Sequence, residues 1–211
     1  MPSAAPRIGL FGGSFDPPHA GHLAAARRAM AGFGLERVIW MPAARSPFKL
    51  AHRGGASGPE RARLVELLIA GEPGMQLSRL ELERGGASYT IDTVESLLRE
   101  LPEGTQLHLI LGADNLEGLP HWHRARELLE RVQPIVLTRR GSAPLDEALG
   151  LARLGPELSA KLRAGALAME PVDLSSTELR AALCGASQAP VGLAPQAFDY
   201  MRAHGLYGVA R

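Results

Sequence analysis

One cysteine, two lysines and no long apolar run set the first limits on this chain of 211 residues. With Cys184 alone, an internal disulfide and a multi-thiolate zinc site are both excluded. No stretch approaches the ~18 apolar residues of a membrane span. An excess of one charge is missing too, because 23 Lys+Arg against 22 Asp+Glu leave a formal net charge of +1. Dedicated nucleic-acid and membrane-surface binders carry a visible basic excess, so neither partner is expected. A local positive pocket for a small phosphorylated ligand is still allowed. The opening Met-Pro-Ser-Ala-Ala-Pro-Arg has neither the charged leader nor the apolar run of a secretion signal. The expectation is a cytoplasmic protein.

What is present is an ordinary globular composition, 45% hydrophobic and 21% charged. A single domain, 1–211, is expected, mainly helical from about residue 142 onward. Apolar runs at Ile8–Phe11, Val38–Met41, Leu107–Leu111 and Ile135–Thr138 predict buried strands, and Met75–Leu82 alternates like a further one. Helical periodicity covers Ala20–Phe33, stopped by Gly34, and recurs in Pro59–Ala70, Thr90–Leu101 and Trp122–Arg131. Two more helices and an apolar segment, Ala166–Val172, are expected before the closing helices Ser175–Leu183 and Pro195–His204. Ala43–Gly58, rich in Gly, Arg, Ser and Pro, reads as a long mobile loop. Strands alternating with helices predict an α/β fold, a Rossmann-like doubly wound, mainly parallel sheet with helices on both faces. Ligands of such sheets sit outside the carboxyl ends of the strands, so the first strand–loop–helix turn is where chemistry is expected.

That turn reads Gly12-Gly13-Ser14-Phe15-Asp16-Pro17-Pro18-His19-Ala20-Gly21-His22. It carries neither the Gly-x-Gly-x-x-Gly dinucleotide fingerprint nor a Walker loop. Two glycines let the backbone approach a ligand, and two prolines stiffen the entry to the helix. His19 and His22, three residues apart at the helix start, can point the same way. Together with the positive end of a helix they make a donor cluster suited to phosphate.

The string resembles the His-x-Gly-His signature of the nucleotidyltransferase superfamily, which shares its core with class I aminoacyl-tRNA synthetases. More narrowly, it is similar to the bacterial nicotinate-nucleotide adenylyltransferase family. Further motifs carry that resemblance: Ser46-Pro47-Phe48-Lys49, Ser88-Tyr89-Thr90-Ile91-Asp92-Thr93, Leu111-Gly112-Ala113-Asp114, Leu119-Pro120-His121-Trp122 and Ser175-Ser176-Thr177-Glu178-Leu179-Arg180. One position departs, since members often carry His where this chain has Phe48. The resemblance implies adenylyl transfer from ATP to nicotinate mononucleotide, with Mg²⁺ accompanying ATP and no protein-held metal. It implies His19, His22, Lys49 and Arg180 as the catalytic group. It implies an ATP site at Phe11, Gly12, Gly13, Ser14, Phe15, His19, His22, Gly112, Asp114, Arg139, Ser175, Ser176, Thr177 and Arg180. The mononucleotide would meet Ser14, Phe15, Lys49, Ser88, Tyr89, Thr90, Asp114 and Trp122. A homo-oligomer stays open.

Each piece also has a plainer reading. Ser175-Ser176-Thr177 with Arg180 is equally an ordinary N-cap beside a solvated arginine. Lys49 is equally surface, Trp122 core packing and Asp114 a solvated loop residue. Cys184 reads as a small buried hydrophobe with no partner to activate it. Nicotinamide mononucleotide or phosphopantetheine as the acceptor, a phosphohydrolase with a metal on His19, His22, His121 and His123, and a nucleotide-sensing module are the competing functions.

Overall fold

The computed structural model describes residues 5–45, 55–139, 144–170 and 172–210. Strand β1 (Arg7–Gly13) leads through a short loop to helix α1 (Ala20–Phe33) and strand β2 (Arg37–Pro42). The boundaries of α1 follow the sequence: alanine, leucine and methionine fill it, and Gly34 ends it with a φ of 59°. That left-handed conformation suits a residue without Cβ. Helix α2 (Gly58–Ile69) starts in a capping box of Ser57 and Glu60. Strand β3 (Met75–Leu77), helices α3 (Leu80–Arg84) and α4 (Thr90–Glu100) and strand β4 (Gln106–Gly112) follow. Then come α5 (Ala125–Arg131), β5 (Gln133–Arg139), α6 (Leu145–Ala152), α7 (Pro156–Ala164), β6 (Ala166–Met169), α8 (Ser176–Leu183) and α9 (Pro195–Ala203).

The six strands form one sheet in the order β3-β2-β1-β4-β5-β6. From β1 to β6 the neighbours run parallel, with Leu10 opposite Leu109, Ile110 opposite Ile135 and Val136 opposite Ala166. The strand order reverses beside β1, which is the doubly wound arrangement. No helix among the described residues is long and apolar enough to cross a membrane.

Three expectations are corrected. The strand expected over Met75–Leu82 stops at Leu77. The Ser78 hydroxyl accepts from the Leu80 N–H at 3.3 Å, and this side-chain bond turns the backbone out of the sheet into α3. The helix expected from Trp122 begins only at Ala125. Trp122 is extended (ψ 143°) after a 3-10 turn over Leu119–His121, and Arg124 is left-handed with a φ of 51°. Arg124 is held there by Glu127 at 2.7 Å and Glu95 at 2.9 Å. Cys184 is exposed at the end of α8, not buried.

The chain forms two compact units interleaved along the sequence. Met1–Gly12, Ala25–Ile39 and Tyr89–Pro171 make the first; Gly13–Ala24, Trp40–Ser88 and Val172–Arg211 make the second. The first unit is centred on apolar strand residues such as Ile8, Leu109 and Ile135, all at most 2% exposed. A titratable residue of β4 is buried in this unit as well. His108 is 5% exposed, its Nδ1 lies 3.1 Å from the Gln106 carbonyl, and its ring faces Phe33. Burial pushes the imidazole below its ordinary 6.5, with Arg7 in the same direction and the Gln106 carbonyl opposing. The folded state therefore binds this proton less readily than the unfolded chain. The stability it contributes is complete above about pH 6.5 and is lost as pH falls below that value. Melting curves between about pH 7 and 5.5 should then fall less steeply for His108→Gln than for the parent. Equal slopes would remove His108 from the acid response.

The second unit has its own apolar cluster, in which Leu64 of α2 packs with Leu183, Phe198, Met201 and Tyr207.

Candidate active site

The loop between β1 and α1 lies within the second unit, and side chains from distant positions hold its carbonyls. The Gly13 carbonyl accepts from the Ala43 N–H at 2.9 Å. The Ser14 carbonyl accepts from Arg61 Nη1 at 2.5 Å, and the other terminal nitrogen of Arg61 donates to the Ala43 carbonyl at 2.6 Å. The Asp16 carbonyl accepts from Arg180 Nη1 at 2.6 Å, and the Pro17 carbonyl from the Ser176 hydroxyl at 2.9 Å. Asp16 Oδ1 accepts twice, from the Tyr207 hydroxyl at 2.5 Å and from the Ala56 N–H at 3.1 Å. The Asp16–Pro17 peptide is cis, and Phe15 is left-handed with a φ of 49°. Few backbone groups in this loop are left to move independently.

Beneath the loop, the Phe15 ring is 2% exposed. It lies edge-on to His22 at 5.2 Å and against Trp40 at 5.3 Å. A Cβ on Gly13 would come within 3.0 Å of that ring, which explains a glycine at the strand end. Any contact of Phe15 with a nucleotide therefore runs through its backbone.

The two histidines meet, with ring centroids 3.8 Å apart. The glycine between them has a steric reason: a Cβ on Gly21 would stand 2.9 Å from His19 Nδ1. The helix start is less open to an anion than its position suggests. The Ala20 N–H donates to the Gly192 carbonyl and the His22 N–H to the His19 carbonyl, both at 2.9 Å. The His19 N–H donates to His22 Nδ1 at 3.3 Å. A neutral His22 accepting at Nδ1 carries its proton on Nε2, so the imidazole presents a donor. The cluster's donor capacity thus rests more on the imidazole than on the helix end.

Helix α8 opens as its residues require. The Ser175 hydroxyl accepts from the Glu178 N–H at 3.1 Å, a true N-cap, and donates to the Glu178 carboxylate at 2.7 Å. Ser176 is bonded to the loop, and Arg180 divides its guanidinium between the Asp16 carbonyl and Thr177 Oγ1. Ser88 is buried, its hydroxyl accepting from the Ala44 N–H at 2.9 Å.

In the first unit, Phe11 is buried in β1 and Gly12 is exposed near its end. Gly112 ends β4, and a Cβ there would strike the Asp114 carboxylate, so glycine lets Asp114 fold back over the strand end. Asp114 is exposed and accepts from Asn115 Nδ2 at 3.3 Å. Tyr89 precedes α4, its ring 4.6 Å from that of His123, while Thr90 begins the helix. Trp122 is half-buried, and Arg139 closes β5. Lys49 lies outside the described residues, as does Arg140. No group of three or more His, Cys, Asp or Glu among the described residues is placed to hold a metal ion.

The cytidylyltransferase-like family profile matches residues 10–182. A curated relative from Gloeobacter violaceus, named "probable nicotinate-nucleotide adenylyltransferase", is 42% identical over 205 residues, covering 96% of this chain and 97% of that one. The chain belongs to the nicotinate-nucleotide adenylyltransferase family. A second relative of the same name, from Gemmatimonas aurantiaca, is 39% identical over 95% of this chain and 92% of its own. The fold agrees with a solved nicotinic acid mononucleotide adenylyltransferase of Plasmodium falciparum in complex with NaAD. That structure has a TM-score of 0.70 at 16% identity, over 97% of this chain and 98% of that one.

Within this adenylyltransferase the second unit brings together Gly13, Ser14, Phe15, His19, His22, Ser175, Ser176, Thr177 and Arg180. Three participants escaped the sequence reading. Asp16 stood in the motif without a role, Tyr207 lies 191 positions away from it, and Arg61 sits on α2. Arg61 did leave a trace. It shares the buried face of α2 with Leu64 and Val65 at helical spacing, where a charge is out of place unless it is bonded.

Proposed function

We propose that this chain transfers the adenylyl group of ATP to nicotinate mononucleotide, releasing pyrophosphate and giving nicotinate adenine dinucleotide for NAD biosynthesis. The observation that carries the reading is the bonded loop with His19 and His22 at its exit, in a chain whose relatives bear that name over nearly full length. An oxygen of the mononucleotide phosphate attacks the α-phosphorus in line, and the bond from that phosphorus to the bridging oxygen breaks. The acceptor phosphate is already ionised near neutral pH, so no general base and no covalent intermediate is needed. Catalysis is then positioning with electrostatic stabilisation. His19 and His22 serve the α-phosphate, the start of α8 with Arg180 the leaving phosphates, and Lys49 a flanking phosphate. ATP enters as its magnesium complex, the ion arriving on the substrate's own oxygens. The pyridine and its ribose are assigned to Tyr89, Thr90, Asp114 and Trp122.

The test is pyrophosphate release from ATP with nicotinate mononucleotide, nicotinamide mononucleotide and phosphopantetheine in parallel. No Lys or Arg occurs between Gly85 and Leu98, so the nearest donors assigned to the nicotinate carboxylate are the start of α4 and the Thr90 hydroxyl. An amide would turn its NH₂ toward a donor, a mismatch expected to cost on the order of 10²-fold in kcat/KM. A partly wet seat of mainly backbone donors keeps that figure from being larger, and Asp92 in the same first turn works against the seat. Equal efficiency would sink the carboxylate seat, and turnover only with phosphopantetheine would sink the substrate assignment.

A further inference from the structure

The loop that precedes the histidines is held by side chains distant from it in sequence. Arg61 is 7% exposed, and its two terminal nitrogens bridge the carbonyls of Ser14 and Ala43. A buried guanidinium bonded only to neutral carbonyls is unfavourable for stability by itself. What it gains is geometry, because one planar fork fixes the loop after β1 to the chain leaving β2. Tyr207 does the same from the other end of the sequence. It is 7% exposed in a left-handed conformation (φ 54°), with its ring in the apolar cluster and its hydroxyl on Asp16 Oδ1. Asp16 Oδ1 accepts from both Tyr207 and Ala56, and the carbonyl of the same residue is held by Arg180.

We propose that Arg61, Asp16 and Tyr207 are positioning residues for adenylyl transfer, which set the loop so that His19 and His22 meet the reacting phosphate. The proposal rests on the adenylyl-transfer reading above. Burial pushes the Arg61 guanidinium below its usual range, while the nearby Asp16 carboxylate acts to keep it charged. Burial and the bond to Asp16 hold the Tyr207 hydroxyl protonated, as a donor must be. A loop displaced by a fraction of an ångström still binds ATP but presents it poorly, so the loss belongs in kcat rather than KM.

The test uses the full chain with ATP and nicotinate mononucleotide, the parent's turnover being established first. Tyr207→Phe keeps the ring in the core and deletes one hydrogen bond; kcat should fall about 10-fold with the KM for ATP within about twofold. Arg61→Lys retains charge but cannot bridge both carbonyls, and kcat should fall about 10²-fold. Added methylguanidine should restore part of the kcat of Arg61→Ala. The double variant Tyr207→Phe/Arg61→Lys should lose little more than Arg61→Lys alone, since both act through one loop. Parent-like kcat in Tyr207→Phe and Arg61→Lys would overturn the proposal. So would losses that track the folded fraction in thermal melts, or multiplicative losses in the double variant. If the parent itself turns over no mononucleotide, the functional reading fails instead.

Discussion

Replacement of His22 by alanine should lower kcat by about 10²–10³ while the KM for ATP changes far less. The reason lies in how the ring is held. The His19 N–H at 3.3 Å fixes Nδ1 as acceptor, Phe15 braces one edge, and the His19 ring lies 3.8 Å away. On the proposed reading, a donor at Nε2 held in this orientation before substrate arrives meets the condition under which one donor to a developing charge counts for several kcal/mol. On the proposed reading the start of α8 and Arg180 also hold ATP, so its binding should change less. His22→Gln should recover only a small part, because its amide lacks the ring that Phe15 braces. Steady-state kinetics with saturating nicotinate mononucleotide decide the matter, and an unchanged kcat for His22→Ala would take this residue out of the mechanism.

Trp40→Ala should be the most destabilising single substitution near the site, by roughly 3–5 kcal/mol. The side chain is fully buried at 0% exposure, packs on Phe15 at 5.3 Å, and donates from Nε1 to the Met75 sulfur at 3.3 Å. Removing it leaves a cavity under Phe15, and Phe15 is what supports His22. Stability and kcat should therefore fall together, whereas Trp40→Phe should recover much of both. Denaturant unfolding measures the first quantity and initial rates the second. A variant that loses less than about 1 kcal/mol would mean the cavity collapses, contrary to a tightly packed support.

The alternation of strands and helices was legible because apolar runs and helical spacing are local signals. The limits of α1 were readable from Ala20 through Gly34 for that reason. The failures were also local in cause but invisible in pattern. Leu77, Leu80 and Leu82 fit either period until the Ser78 hydroxyl selects a turn. Trp122 looks like a helix opener until Arg124, drawn to Glu95 and Glu127, takes up a left-handed backbone. At the site, the histidine motif announced itself by composition. Arg61 and Tyr207 did not, because their importance comes from carbonyl and carboxylate partners brought close only by the fold. The neighbours of a buried side chain, more than its type, decide such roles.

The tie between Asp16 and Tyr207 has a consequence in time. A ribosome working at about 5–20 residues per second needs roughly 10–40 s to travel from the first of these residues to the second. During that interval the glycine-rich turn and its histidines exist without the hydroxyl that completes them. The nascent chain thus carries a half-finished catalytic loop while the strands behind it are already being made. On the adenylyl-transfer reading, a chain stalled before Tyr207 holds the histidine motif without this tie, and its turnover should fall at least as far as that of Tyr207→Phe.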